Sequence, residues 1–169
     1  FEGIQTMLPF LGTATAREPT TSSSLKAFGQ SASSVLLLAG VGGCVDAVGF
    51  LTLGGLFVSH MSGNSAALGA FVGQGDWHAG LPHLVAILVF VCGLFLGYLV
   101  TVRASNPRPL VLLLGLEALL LSSFIAGWTV FGRPAQGTPQ YFLLCLPPLL
   151  AMGIQNTTQR LTAGFAPPL

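Results

Sequence analysis

Asp46 lies eleven residues into an apolar segment that opens at Val35. As a helix that is some 17 Å along the axis, near the middle of a roughly 30 Å hydrocarbon core. An acid at that depth marks a cation or proton path, or else a buried partner that fixes helix packing. Its helical neighbours Ala39, Gly42, Gly43 and Gly49 form a small-residue stripe along which another helix can approach closely. Downstream, Ser59, His60, Met61, Ser62, Gly63 and Asn64 combine capping side chains with a glycine and lead into an apolar stretch, which reads as a helix N-terminus. Placed within a membrane, its N–H groups and positive dipole end would suit an anionic group, while the Ser and Asn oxygens could take a cation. On a surface the same residues are an ordinary capped turn.

Three further features carry weaker signals. Glu117 stands about eight residues into its own apolar helix among Leu113, Leu114, Leu120 and Leu121, as a protonated hydrogen-bond donor, a helix partner or a relay acid for Asp46. Gln155, Asn156 and Gln159 end the last apolar segment, with Gln155 and Gln159 one turn apart; they could line a pore or emerge among headgroups. Gly93/Gly97 and Gly69/Gly73 have small-xxx-small spacing and are read as packing positions. His60 has no second ligand at metal spacing, and Cys44, Cys92 and Cys145 sit in apolar runs as inert small hydrophobes, so neither metal nor cofactor is expected. No nucleophile motif or phosphate-binding glycine loop is found, and the expected activity is not enzymatic.

The elements that must position these residues are membrane helices. Of 169 residues, 52% are hydrophobic and 7% charged, and mean hydropathy is +0.78, far from a soluble domain. A net charge of +1 leaves no basic surface for nucleic acid. Leu81–Thr101, Pro109–Phe131 and Tyr141–Gln159 each read as a transmembrane helix, with Pro147 and Pro148 expected to kink or interrupt the last. Val35–Val58 is long enough to span, whereas Ser65–Val72 rises only about 12 Å and is a half-span. If this region makes two full crossings, Lys and Arg divide three against three; with one crossing plus a re-entrant piece they divide five against one, Arg133 alone being opposed. The second drawing is preferred. Residues 1–32 read as a disordered Ser/Thr-rich tail.

The runs Val45-Asp46-Ala47-Val48-Gly49-Phe50 and Phe57-Val58-Ser59-His60-Met61-Ser62-Gly63-Asn64, with Ala151-Met152-Gly153-Ile154-Gln155-Asn156 and Arg160, resemble the YoaK family of bacterial integral membrane proteins. That family is of undetermined function and is described with six transmembrane segments. The resemblance covers residues 33–165 and implies a second Met-Thr-Gly-Asn segment and a final helix, so that residues 166–169 read as a cut end. Gly43-x-x-Asp46 and Gly153-x-x-Asn156 form an internal echo, of the kind that opposed broken helices make in inverted-repeat transporters.

The expectation is therefore an all-α polytopic transmembrane helix bundle with a glycine-rich broken or re-entrant first region. It would sit in the bacterial cytoplasmic (inner) membrane with its N-terminus cytoplasmic. Its expected activity is that of a small secondary transporter or ion/proton-coupled permease, with a noncatalytic membrane scaffold or assembly partner as the alternative. Asp46, His60, Ser62, Gly63, Asn64, Gln155, Asn156 and Gln159 would hold substrate or ion, and Glu117 would relay. Gly42, Gly43, Gly49, Gly93 and Gly97 would pack helices. Its partners would be the lipid bilayer and a small solute or ion, with a homo-oligomer as a further possibility.

Overall fold

The computed structural model describes residues 21–103 and 109–162. These form α1 (Thr21–Thr52), α2 (Met61–Gly73), α3 (Trp77–Arg103), α4 (Pro109–Phe131) and α5 (Pro139–Thr162), with no strand among the described residues. Residues 1–20 of the expected tail and the expected cut end at 166–169 lie outside the described residues. Residues 21–32, expected as the rest of that tail, instead continue α1. Ser and Thr are mediocre helix formers rather than breakers, and adding residues to a formed helix avoids the cost of nucleation.

α1 stops at a glycine pair. Gly54 and Gly55 have φ of 70° and 90°, and the Gly55 N–H donates to Phe50 O at 2.9 Å, the wide closing bond of a left-handed helix C-terminus. The carbonyls just beyond α1 are then taken from the segment leading into α5 and its first turn: Tyr141 Oη donates to Leu53 O at 2.9 Å, and Gln136 Nε2 to Gly54 O at 2.8 Å. Tyr141→Phe removes one of these donors and should lower stability by about 1 kcal/mol, read as a shift in thermal unfolding in detergent micelles.

Helix directions follow from the contacts. Leu53 meets Tyr141 and Leu38 meets Gln155, so α1 and α5 are antiparallel. A Cβ on Gly93 would meet Leu150 and Gly153, and one on Gly97 would meet Thr157, so α3 runs parallel to α5. Asn64 meets His83 while Leu68 and Phe71 border Gly80, so α2 is antiparallel to α3 and parallel to α1. After α1 reaches one end of the bundle, the chain dips back along it as far as Asp46, and α2 climbs again to that same end. Within the bundle the pair is one long helix and a half-length helix that starts again beside Asp46. The 13 residues of α2 include Met61–Asn64 of the polar knot, and their length of about 20 Å still falls short of the roughly 30 Å core. The start of the apolar part of α1, Arg103 and Arg160 lie at one end, and Arg133 at the other.

Val35–Thr52 of α1, all of α3 and Leu110–Phe131 of α4 are long and apolar enough to cross a membrane, and less than a quarter of each apolar window is buried inside the protein. Large apolar side chains such as Leu37, Leu51, Leu119 and Val130 face outward, the inverse of a water-soluble surface. α5 is different from the apolar span expected of it. It is the inner helix, with Tyr141, Leu149, Met152 and Ile154 each at most 1% exposed, and because its neighbours cover it, it can carry the polar Gln155–Arg160 end that keeps it from passing as a lipid-facing span. Nor do Pro147 and Pro148 interrupt it: α5 continues as one helix through both.

The α3–α5 contact is the closest in the bundle. A Cβ on Gly93 would come within 2.6 Å of Leu150 O, and one on Gly153 would strike Phe90 O, so Gly93, Gly97 and Gly153 let two backbones touch. Gly42 and Gly49 also pack closely, against Gln155 and Val58 respectively. The other glycines expected to pack do not: Gly43, Gly69 and Gly73 face open space. What covers the Gly49 face of α1 is the chain's own returning loop, not a separate helix.

Candidate functional site

Asp46 is 6% exposed and its carboxylate holds the re-entrant loop in place. Oδ1 accepts the Val58 N–H and the Ser59 N–H, each at 2.7 Å. Oδ2 accepts the Ser59 hydroxyl at 2.6 Å and lies 2.9 Å from His60 Nδ1. Loop amides that dip into the bundle cannot find water, and an anion with several acceptor directions supplies their partners. Gly49 permits this approach, since its missing side chain is where Val58 sits.

Asn64 closes the loop from the other side. Its Oδ1 accepts the Phe57 N–H at 3.1 Å, and its Nδ2 donates to Phe57 O at 2.7 Å, so one amide pairs with a whole backbone unit. His83 Nδ1, 3.1 Å from Asn64 Oδ1, must carry the proton, since a carbonyl oxygen only accepts. The His83 ring also stacks on Phe71 at 5.6 Å. Gly63 leaves room for the Phe57 ring, 2.8 Å from where its Cβ would be. Asn64→Leu should cost about 2–3 kcal/mol, because it leaves the part-buried Phe57 N–H and C=O and the buried His83 N–H unpaired, whereas Ser65→Ala on the outer face should stay within about 0.5 kcal/mol; thermal unfolding of the two variants checks the contrast.

Below the tip of this loop, toward the end of the bundle that bears Arg103 and Arg160, is a cavity of about 330 Å³. Its walls are Ala39, Gly42 and Gly43 of α1, Ser59–Ser62 at the tip, Phe90 of α3, and Met152, Gln155, Asn156 and Gln159 of α5. The amide of Gln155 is tied to α1: Nε2 donates to Leu38 O at 2.9 Å, and Oε1 lies beside Gly42, 3.3 Å from where its Cβ would be. His60, with a side chain 70% exposed, lines this cavity and also a second, apolar hollow of about 530 Å³ formed with Gly43, Asp46, Ala47, Phe50, Leu51 and Phe57.

Of the residues expected at the site, His60, Ser62, Gln155, Asn156 and Gln159 meet around the polar cavity. Asp46, Gly63 and Asn64 do not line it; they build the tip that closes it. Glu117 lies on α4, which contributes nothing to its walls. That carboxyl is 5% exposed, and its Oε2 finds no hydrogen-bond partner among the described residues. Sequence reasoning missed Ser59 as a ligand of Asp46, His83 as a partner of Asn64, and Tyr141 with Gln136 as caps of α1. Of these only the end of α1 left a trace, the Gly54-Gly55 pair; pairs 13 to 88 residues apart have no local signature.

The fold and site define a polytopic helical membrane protein built round a re-entrant half-helix. The chain belongs to the family described as "Protein of unknown function (DUF1275)", whose model matches residues 34–168. It is similar to the UPF0700 transmembrane protein YoaK of Bacillus subtilis (strain 168), at 32% identity over 127 residues, which are 73% of this chain and 54% of that protein. The chain thus spans about half the length of this curated relative. No solved structure matches it.

Proposed function

We propose that the protein is a small secondary transporter of the bacterial cytoplasmic membrane, with its solute held in the 330 Å³ cavity. The observation that carries this reading is the meeting of a broken helix and the amide-bearing face of α5 around one polar hollow inside an apolar bundle. Irregular backbone at depth persists only where it is buried or lines a cavity, and here it does both. Asp46, 2.9 Å from His60 Nδ1, is the coupling carboxylate of the transport cycle, tied to the tip through the Val58 and Ser59 N–H groups. Glu117 is the reserve carboxyl for a relay on α4. With one crossing and a re-entrant piece before residue 77, the sequence assigns five of the six Lys and Arg residues to the N-terminal side, which supports an N-terminus and cavity mouth facing the cytoplasm. No catalytic step is assigned to the site.

A scaffold role is the second reading, favoured by one fact: the hydrogen bonds of Asp46 and Asn64 are satisfied within the fold. Asp46→Asn in proteoliposomes separates the two. It keeps an acceptor for the loop while removing the titratable charge. A transporter loses pH-dependent solute flux but still inserts and folds; flux unchanged across pH removes the coupling role, and absence of any flux with intact assembly favours the scaffold.

A further inference from the structure

We infer that Glu117 is a proton-binding site at the α4–α5 contact, behind the helix that walls the cavity, and that giving up its proton loosens α4 from α5. This deepens the transporter reading, on which the use of the proton rests, by naming a place where a coupled proton is held. Glu117 is 5% exposed, and its Oε2 is fully buried with no hydrogen-bond partner among the described residues. Buried polar atoms are nearly always paired, so a carboxyl oxygen left unpaired calls for a role other than packing. Asp46 is the contrast, with both oxygens filled by the tip.

α4 packs on α5 and, more lightly, on α3, and among the described residues it touches neither α1 nor α2. A Cβ on Gly127 would meet Leu144 at 2.8 Å, and α4 and α5 run antiparallel across the short connection from Phe131 to Pro139. Glu117, about three turns before Gly127, therefore faces α5 about three turns past Leu144, between Ala151 and Thr158 on the same stripe. Both are wholly buried; Ala151 has no polar side chain, and the Thr158 hydroxyl donates to Ile154 O. Elsewhere on α5, Tyr141 and Cys145 lie toward the other end and Arg160 is exposed. On α3, His83 meets Asn64, while His78, Cys92, Tyr98 and Arg103 are exposed. No cation pairs with Glu117 among the described residues. A carboxylate here would be a buried charge without a counter-charge, whereas the acid is neutral. The closed α4–α5 contact thus holds the proton, and releasing it requires the helices to part far enough for water to reach the carboxylate. A different face of α5 presents Met152, Gln155, Asn156 and Gln159 to the cavity, so a shift of α5 that follows the proton also changes the wall around the solute.

The test uses the full chain in lipid vesicles and needs no solute. Infrared difference spectra across pH should show a protonated-carboxyl C=O band that disappears as pH rises and is missing in Glu117→Gln. Glu117→Leu is the companion variant: an apolar side chain of similar size in place of an unpaired carboxyl should unfold at or above the parent temperature. In a background with Cys44, Cys92 and Cys145 replaced by alanine, Ala151→Cys reports the helix contact. Its maleimide labelling should rise with pH about fivefold more beside Glu117 than in the Glu117→Gln background, which shares the intrinsic pH dependence of the thiol. A parent spectrum that matches Glu117→Gln in the carboxyl region at every pH, or a band that persists until the protein unfolds, overturns the proton site. So does a Glu117→Leu protein that unfolds well below the parent, since the carboxyl is then a structural partner. Equal labelling of position 151 in the two backgrounds overturns the link to α5. Solute flux is read separately: its absence strikes the transporter reading, while the band and the labelling decide the proton site.

Discussion

Asp46→Ala should unfold the re-entrant segment. The substitution deletes the acceptor of two backbone N–H groups, a hydroxyl and an imidazole at once. Val58 is wholly buried, so its N–H cannot turn to water. The expected loss is about 3–5 kcal/mol, the range seen when one partner of a buried charged network is removed. Asp46→Asn should lose less than half of that, because one oxygen still accepts the Val58 and Ser59 N–H groups while the new amide nitrogen faces the Ser59 hydroxyl. Thermal unfolding in micelles gives the ranking, and thiol labelling of a cysteine at position 58 reports the segment itself: unreactive in the parent background, reactive in Asp46→Ala. Equal stability of Asp46→Ala and the parent would mean that the loop is held by something other than this carboxylate.

Gly153→Ala should be damaging although it adds a single methyl group. That methyl would collide with Phe90 O and come within 2.9 Å of Gly93 Cα and Leu94 N, all backbone atoms of α3. Backbone cannot rotate aside as a side chain can, so α3 and α5 must separate along their tightest contact, at a cost of about 1–3 kcal/mol or more. The same change at Gly69, which faces open space, should be neutral or stabilising by up to about 1 kcal/mol, since alanine is the better helix former. Opposite signs for one chemical change on two helices are the signature of the packing; thermal unfolding of both variants, with Gly153→Leu as the more severe case, measures it. A stable Gly153→Leu protein would contradict the α3–α5 contact.

These two residues also show what could be read from the sequence. Asp46 stood out because an acid in an apolar run is costly, and its association with the Ser59–Asn64 knot could be suspected from the half-length apolar piece that follows. Its hydrogen-bond partners could not: they lie on a loop that turns back along α1, and nothing in local composition states how far a chain returns. The small-residue pairs were equally visible, yet spacing alone does not distinguish Gly93, which touches backbone, from Gly69, which touches nothing. Only the arrangement of neighbouring helices decides that. α4 was delimited to the residue from its apolar length, because a lipid-facing helix writes its surroundings into its own sequence. α5 was placed but misjudged in kind, since an inner helix is covered by protein and its composition reflects those neighbours. The cavity drew together five of the expected site residues, and Asn64 and Asp46 turned out to support it from behind.

The account depends on α1 being the sole crossing before residue 77, with the tip of the loop returning to the end it came from. Single cysteines at positions 30, 76 and 136, in a background with Cys44, Cys92 and Cys145 replaced by alanine, can be probed with a membrane-impermeant thiol reagent in intact cells and in inverted vesicles. The structure predicts that positions 76 and 136 label from one side of the membrane and position 30 from the other. Labelling of positions 30 and 76 from the same side would contradict it, making α2 part of a second full crossing and removing the tip that closes the cavity.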